Sequence, residues 1–250
     1  MTIEIYNKNC LDLLDEMICN NQKVDIIFCS PPYNMCLKVQ GDKYVSRWKS
    51  SYSNKGHLSN KYDEYTDDLP IEKYEKIQEE FLNKSLQVSN YVFYNIQMVS
   101  GNKIPLCHLI GKFAEKIKDI IIWNKVNAEP AINKKVLNSQ YEFIICLSNI
   151  RPKCRTFDNA LFGRGTETNV WNIKRERNKY IKAGFPKELV KRILNNFTKE
   201  NDTVFDPFMG SGTCGIICKE MNRNFIGCEI NEKMFKIAKE RINGDITTNN

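Results

Sequence analysis

Two short segments of this 250-residue chain hold most of the residues that could do chemistry. The first is Ser30-Pro31-Pro32-Tyr33, placed directly after the apolar run "VDIIF" at 24–28. Neither proline can donate a backbone hydrogen bond, so a strand cannot continue through them, and their fixed φ makes a rigid hook. Both proline carbonyls are expected to be free acceptors, Ser30 adds a hydroxyl oxygen, and Tyr33 adds a flat face. That set suits a planar ring with an exocyclic amino group. The amino hydrogens would go to the Ser30 oxygen and the Pro31 carbonyl while the ring stacks on Tyr33. Two acceptors on those hydrogens bias the nitrogen toward a pyramidal shape and restore a lone pair that the ring otherwise delocalises. Against an electrophile that is already reactive, such as a sulfonium methyl group, alignment then supplies much of the rate. The bland alternative is a strand-ending turn with an exposed tyrosine, which is what a bare Pro-Pro-Tyr usually is.

The second segment is "DPFMGSGT" at 206–213, between the apolar strand "TVFD" and a helix. A glycine turn at that junction lets a ligand approach the backbone closely, with Gly210 and Gly212 supplying the room and Pro207, Phe208, Ser211 and Thr213 completing the turn. Asp206, at the carboxyl end of its strand, can accept from an ammonium or hydroxyl group. Glu229 ends the next strand, seventeen residues after Gly212, where a carboxylate can hold both hydroxyls of a ribose. From Gly210 the turn reads G-x-G-x-x-G, so a nicotinamide dinucleotide stays open on pattern alone; a phosphate loop does not, since no Gly-Lys-Ser/Thr is present. Glycines alone could simply join strand to helix. An acid before the turn and another after it point instead to a nucleoside bearing a positive group.

For these segments to meet, the chain must form parallel strands whose carboxyl ends share one edge. The spacing of apolar residues predicts strands at 2–6, 24–28, 91–96, 120–123, 141–148, 203–206 and 224–230. It predicts helices at 10–18, 71–88, about 104–118, 186–197 with Pro186 in the first turn, about 213–221, and, after the strand at 224–230, to about 242. The alternation is that of the α/β class, with a doubly wound, mostly parallel sheet in one domain over 1–250. Two stretches lack any period. Residues 34–70 are polar and dotted with aromatics, and so long a loop is expected to be either functional or disordered. Residues 149–182 are basic and irregular, and the terminal "TTNN" is expected to fray.

Hydrophobic residues are 42% and charged residues 27% of the chain, a globular composition, and no apolar run nears the length that crosses a bilayer. The start "MTIEIYNKNC" lacks a basic region followed by an apolar one, so a cytoplasmic address is expected, that of a host cell for a viral protein. Ten cysteines without a CxxC, mostly inside apolar runs, and only two histidines predict reduced thiols, no disulfide and no metal. The net charge of +7 is uneven: 151–192 holds twelve basic residues against four acidic, and 38–55 holds five against one. That is a modest pointer to a polyanion.

Taken together, "SPPY" and "DPFMGSGT" resemble the motifs of the DNA amino-methyltransferases, which methylate N6 of adenine or N4 of cytosine from S-adenosylmethionine. The proline motif preceding the glycine motif resembles the circularly permuted β group, and the similarity spans nearly the whole chain. The resemblance implies a seven-stranded Rossmann-like methyltransferase sheet with Ser30, Pro31, Pro32 and Tyr33 as catalytic residues. It implies cofactor contacts from Asp206 to Thr213 and from Glu229. "NCLDLL" at 9–14 is similar to the segment that meets the cofactor adenine, which implicates Asn9 and Cys10, although the family usually has Asp where Asn9 stands. "FPKELVKRIL" at 185–194 is similar to the helix over the methionine part, which implicates Phe185. "WNK" at 123–125 and "SQYEFIICLS" at 139–148 match family spacing. A double-stranded DNA partner and base flipping follow from the resemblance. Loops 35–70 and 149–182, the latter a short target-recognition insert, would then grip phosphates through Lys38, Lys43, Arg47, Lys49, Arg151, Arg155, Arg164 and Arg175. Tyr44, Trp48 and Tyr52 would wedge or stack. A monomer or homodimer is expected, with no membrane and no metal. Ser at the head of the motif goes more often with cytosine N4, so cytosine is slightly favoured over adenine N6. Methylation of RNA or a small amine is a close variant. A nicotinamide oxidoreductase would leave "SPPY" without a purpose, and a non-catalytic nucleic-acid binder would not need both motifs intact.

Overall fold

Residues that alternate between two apolar faces build the sheet. In the computed structural model, which describes residues 1–35, 38–40, 43–45, 68–129, 135–176 and 184–244, the strands are β1 (Ile3–Tyr6), β2 (Val24–Cys29), β3 (Lys38–Gln40), β4 (Lys43–Val45), β5 (Ser89–Ile96), β6 (Ile117–Glu129), β7 (Ser139–Ser148), β8 (Val170–Asn172), β9 (Thr203–Asp206) and β10 (Asn224–Cys228). The helices are α1 (Cys10–Cys19), α2 (Ile71–Val88), α3 (Lys103–Lys112), α4 (Lys187–Phe197), α5 (Thr213–Glu220) and α6 (Glu232–Asn243). In β2, Ile26 and Phe28 point to one core while Ile27 and Cys29 point to the other; β5 divides Tyr91 and Phe93 from Val92, Tyr94 and Ile96 in the same way. The first core is closed by α4, α5 and α6, the second by α1, α2 and α3. Helices therefore cover both faces, as a mostly parallel sheet requires.

The main sheet runs β1-β10-β9-β2-β5-β7-β6-β8, with β3 and β4 forming a separate antiparallel pair. All its neighbours are parallel except those of β7, which is antiparallel to β5 and β6. It has eight strands rather than seven; the extra one is the short β8, paired to the edge of β6. Within the main sheet strand and helix alternate up to β6 and again from α4, but among the described residues β6, β7 and β8 follow one another with no helix between them. The helix expected to 118 stops at Lys112, because Ile117 and Asp119 pair with β7 and Lys118 is buried, donating to the carbonyls of Ile150 and Arg151. Pro186 is the N-cap of α4 rather than part of its first turn.

The stretch 149–182 is less loop-like than its composition suggests. Phe157 and Phe162 pack on the first core, Trp171 and Ile173 are buried, and the Trp123 indole donates to the Ile173 carbonyl at 2.8 Å. Arg192 pairs with Glu167 and lies over the Trp171 ring. Among the described residues no helix is long and apolar enough to cross a membrane, and no cluster of three metal-binding side chains occurs.

Candidate active site

β2 and β9 are adjacent and parallel, with Ile26 opposite Val204 and Ile27 opposite Phe205. Their carboxyl ends therefore open on the same edge, and the hook after β2 lies beside the turn after β9. Both line one cavity of about 470 Å³, within the usual range for sites that hold a small organic ligand.

On the β9 side, Asp206, Pro207, Phe208, Gly210, Thr213 and Glu229 line the cavity. Asp206 is almost fully buried, and burial pushes its carboxyl up to about 8, the Glu229 charge adding to the rise and the Phe208 amide opposing it. A buried acid that pairs with no basic side chain among the described residues is suited to a cationic ligand. The Glu229 oxygens each accept a backbone amide, from Gly210 at 3.0 Å and Asn231 at 2.8 Å, which orients the carboxylate across the turn. Ser211 and Gly212 do not reach the cavity. Gly212 has φ of +78° and caps α5, and a side chain there would press on Ala238 of α6; Ser211 is fully buried and accepts from Arg241 of α6. Their work is to seat α6 against the turn.

Asn9, Cys10 and Phe185 complete this half. Asn9 is the N-cap of α1, its side-chain oxygen accepting from the Leu11 amide at 2.9 Å, so that oxygen serves the helix first. Burial raises the Cys10 thiol above its ordinary range. Phe185 stacks on Phe28 at 4.3 Å between ring centres, which ties the segment before α4 to the end of β2.

On the hook side, Ser30, Pro31, Pro32 and Tyr33 all line the cavity. The expectation of two free proline carbonyls is corrected: Pro32 accepts from the Tyr74 hydroxyl of α2 at 2.9 Å, whereas no described residue donates to Pro31. Asn34 closes the hook with φ of +55°, its amide group bonding the Leu69 carbonyl and amide and the Gly101 carbonyl. Tyr33 is not only a flat face. Its hydroxyl lies 2.8 Å from the Ser30 hydroxyl and 2.7 Å from a Glu142 oxygen, and Asn95 donates to it at 2.7 Å. Burial and the Glu142 charge hold this phenol well above its usual range. Glu142 also pairs with Lys125 at 2.6 Å, and Lys125 donates to Gln97 at 2.9 Å.

Asn95, Lys125 and Glu142 line the cavity and carried no assigned role in the sequence, although Lys125 and Glu142 lie inside its family-like stretches. A signal was present. Glu142 stands opposite Trp123 and diagonal to Lys125 and Asn95, so all three are polar residues at positions whose parity points into the core.

Of the expected DNA-contacting residues, Lys38 and Lys43 belong to the β3–β4 hairpin backbone, while Arg47, Lys49, Trp48 and Tyr52 lie outside the described residues. Arg151 pairs with Asp158 and Arg155 with Asp119 on the surface, Arg164 is exposed, and Arg175 lines the cavity mouth.

The family described as DNA methylase, of the N6/N4 type, matches residues 24–240. The chain is 27% identical to the type II methyltransferase M2.DpnII of Streptococcus pneumoniae, over all of this chain and 96% of that one. It is 22% identical to M.HinfI of Haemophilus influenzae over 95% of this chain and 67% of that one. Its fold is similar to the solved structures of an M1.HpyAVI–SAM complex (TM-score 0.62, 22% identity, 96% and 100% of the two chains) and of the cytosine-N4-specific PvuII methyltransferase (TM-score 0.64, 15% identity, 98% and 94%). The chain belongs to the N6/N4 DNA methylase family and is an S-adenosylmethionine-dependent DNA methyltransferase.

Proposed function

We propose that the chain methylates the exocyclic amino group of a base swung out of double-stranded DNA, with cytosine N4 the target that Ser30 favours and adenine N6 the alternative. The observation that carries this reading is the pairing of β2 with β9, which opens the hook and the glycine turn on one cavity. Bound S-adenosylmethionine supplies a methyl group that needs no further activation. Asp206 receives the cofactor's cationic part, Glu229 its ribose hydroxyls, and Asn9, Cys10, Phe208 and Phe185 enclose it. Ser30 Oγ and the Pro31 carbonyl accept the two amino hydrogens, and both are held in place before the base arrives, which is how alignment lowers the barrier. Extruding a base costs a few kcal/mol. Basic residues on the hairpin side (Lys38, Lys43, Arg47, Lys49) and on 149–182 (Arg151, Arg155, Arg164, Arg175) offset that cost through phosphates. Because 150–173 is packed on the sheet, the recognition role within 149–182 falls to its exposed side chains.

The test is methyl transfer to unmodified duplex DNA of mixed sequence, followed by nucleoside analysis. N4-methylcytosine is the expected product and N6-methyladenine would reassign the base; no transfer to DNA would remove the reading. Tyr33→Ala is expected to cut turnover with little loss of cofactor affinity, and Asp206→Ala to weaken cofactor binding. Equal effects of the two on cofactor affinity would undo the division of roles.

A further inference from the structure

Among the described residues two carboxylates are buried, Asp206 and Glu142. Asp206 faces the glycine turn; Glu142 faces the hook, 109 residues along the chain from Tyr33. An ionised carboxylate can only accept hydrogen bonds. Lys125 therefore donates to its Oε1 at 2.6 Å, and Asn95 and Tyr33 donate to its Oε2 at 2.6 and 2.7 Å. The consequence passes up the chain of hydroxyls. Tyr33 has one hydroxyl proton, and it is spent on Glu142, so the Tyr33 oxygen must accept. It accepts from Asn95 at 2.7 Å and, at 2.8 Å, from Ser30. The single Ser30 proton is thereby turned inward, and the Ser30 oxygen meets the cavity with lone pairs rather than with hydrogen.

Building on the amino-methylation reading, we propose that Glu142 is a positioning residue that sets the direction of the Ser30–Tyr33 chain and forms its proton-accepting end. A nitrogen that has gained a methyl group must shed one proton. That proton passes to Ser30 Oγ as the Ser30 proton moves to Tyr33 Oη and the Tyr33 proton to Glu142 Oε2. Both hydroxyls end intact, the product base is neutral, and the one proton gained resides on Glu142 beside Lys125 until solvent removes it. The motif serine is too weak a base to keep that proton, which is why an acid two groups away is useful.

The discriminating variant is Tyr33→Phe. It retains the flat face and leaves the Glu142–Lys125 pair untouched, so a tyrosine that only stacks would lose nothing. The expected result is a fall of about 10²-fold in the single-turnover rate on saturating duplex DNA, with S-adenosylmethionine Kd and the KM for DNA unchanged within about twofold. Glu142→Gln should fall similarly, and the double variant should be no slower than the slower single, since a chain is broken only once. Thermal melting of each variant checks that it is folded. A Tyr33→Phe rate equal to that of the unaltered protein, or losses that multiply in the double variant, would overturn the inference while leaving the methylation reading intact. An unaltered protein that transfers no methyl group to DNA would overturn that reading, and this inference with it.

Discussion

Replacing Asp206 by Asn tests the cofactor half of the site through two pH dependences at once. Burial holds the carboxyl at about 8 in the free protein, against about 3.9 in an unfolded chain. The folded state therefore binds the proton more tightly, and between those values unfolding releases it. Stability from this group is complete below about pH 4 and is lost as pH rises toward 8, at up to about 1.4 kcal/mol per unit. From pH 5 to pH 8 the difference between protein and variant should change by about 4 kcal/mol at most, which in a chain of this length is roughly 8–16 °C in Tm. Cofactor binding has the opposite sign. A cation selects the ionised acid, which is about one tenth of the population at pH 7 and half at pH 8, so affinity should rise nearly tenfold per unit up to 8 and then level. In Asp206→Asn the slope should vanish, and affinity at pH 8.5 should fall by about 10- to 150-fold, the loss of a hydrogen bond to a charged group. Thermal melting from pH 5 to 9 and calorimetric titration with S-adenosylmethionine read both. Parallel melting curves for the two proteins, or a cofactor affinity with the same pH slope in each, would refute the argument from burial.

Three further outcomes follow from the packing. Gly215→Ala should destabilise by about 1–3 kcal/mol in urea unfolding while leaving cofactor affinity unchanged, because a β-carbon there would sit 2.7 Å from atoms of Ile242 and Phe225 and not in the cavity. Phe185→Ala should weaken cofactor binding severalfold by calorimetry, since it removes both a cavity wall and the stack on Phe28. Asn34→Ala should cost about 2–3 kcal/mol in the same urea assay and slow methyl transfer, because the hook loses its bonds to Leu69 and Gly101; a change below about 0.5 kcal/mol would mean that the prolines alone hold it.

The parts of the fold legible in sequence were those where one local signal dominates. The run at 24–28, the helix at 71–88 and the strand at 203–206 have apolar patterns that burial on the sheet merely completes. The helix read to 118 failed because "FAEKIK" has a helical composition, and pairing of 117–119 with β7 overrides such propensity. β8 was invisible since three residues in a basic stretch carry no period. That Asp206 and Glu229 face one cavity was legible because a strand end next to a glycine turn is a position with meaning. Ser211 and Gly212, expected at the cofactor, lie against α6, because the same turn also seats that helix, and sequence does not say which demand a given residue meets. Asn95, Lys125 and Glu142 were missed because their meaning depends on strand register, which no local pattern supplies.

That register also explains why the sheet departs from all-parallel order where it does. In a parallel sheet only carboxyl-end residues reach the edge where ligands bind. β7 runs the other way, so its amino end reaches that edge, and Glu142, fourth of its ten residues, arrives beside Asn95 and Lys125 from the carboxyl ends of β5 and the middle of β6. β5 connects this acid to the hook, since Cys29 at the end of β2 stands opposite Tyr94 and the next residue of each strand or loop, Ser30 and Asn95, come within 3.4 Å. The hook thus sits between two buried acids with different neighbours. Among the described residues Asp206 has no basic side chain against it and is pushed toward its neutral form until a cation arrives, while Glu142 pairs with the Lys125 ammonium at 2.6 Å and accepts from the Tyr33 hydroxyl at 2.7 Å. Exchanging the two environments would disable both: an ammonium beside Asp206 would compete with the cofactor, and a Glu142 without Lys125 would lose the ion pair that fixes it beside the Tyr33 hydroxyl.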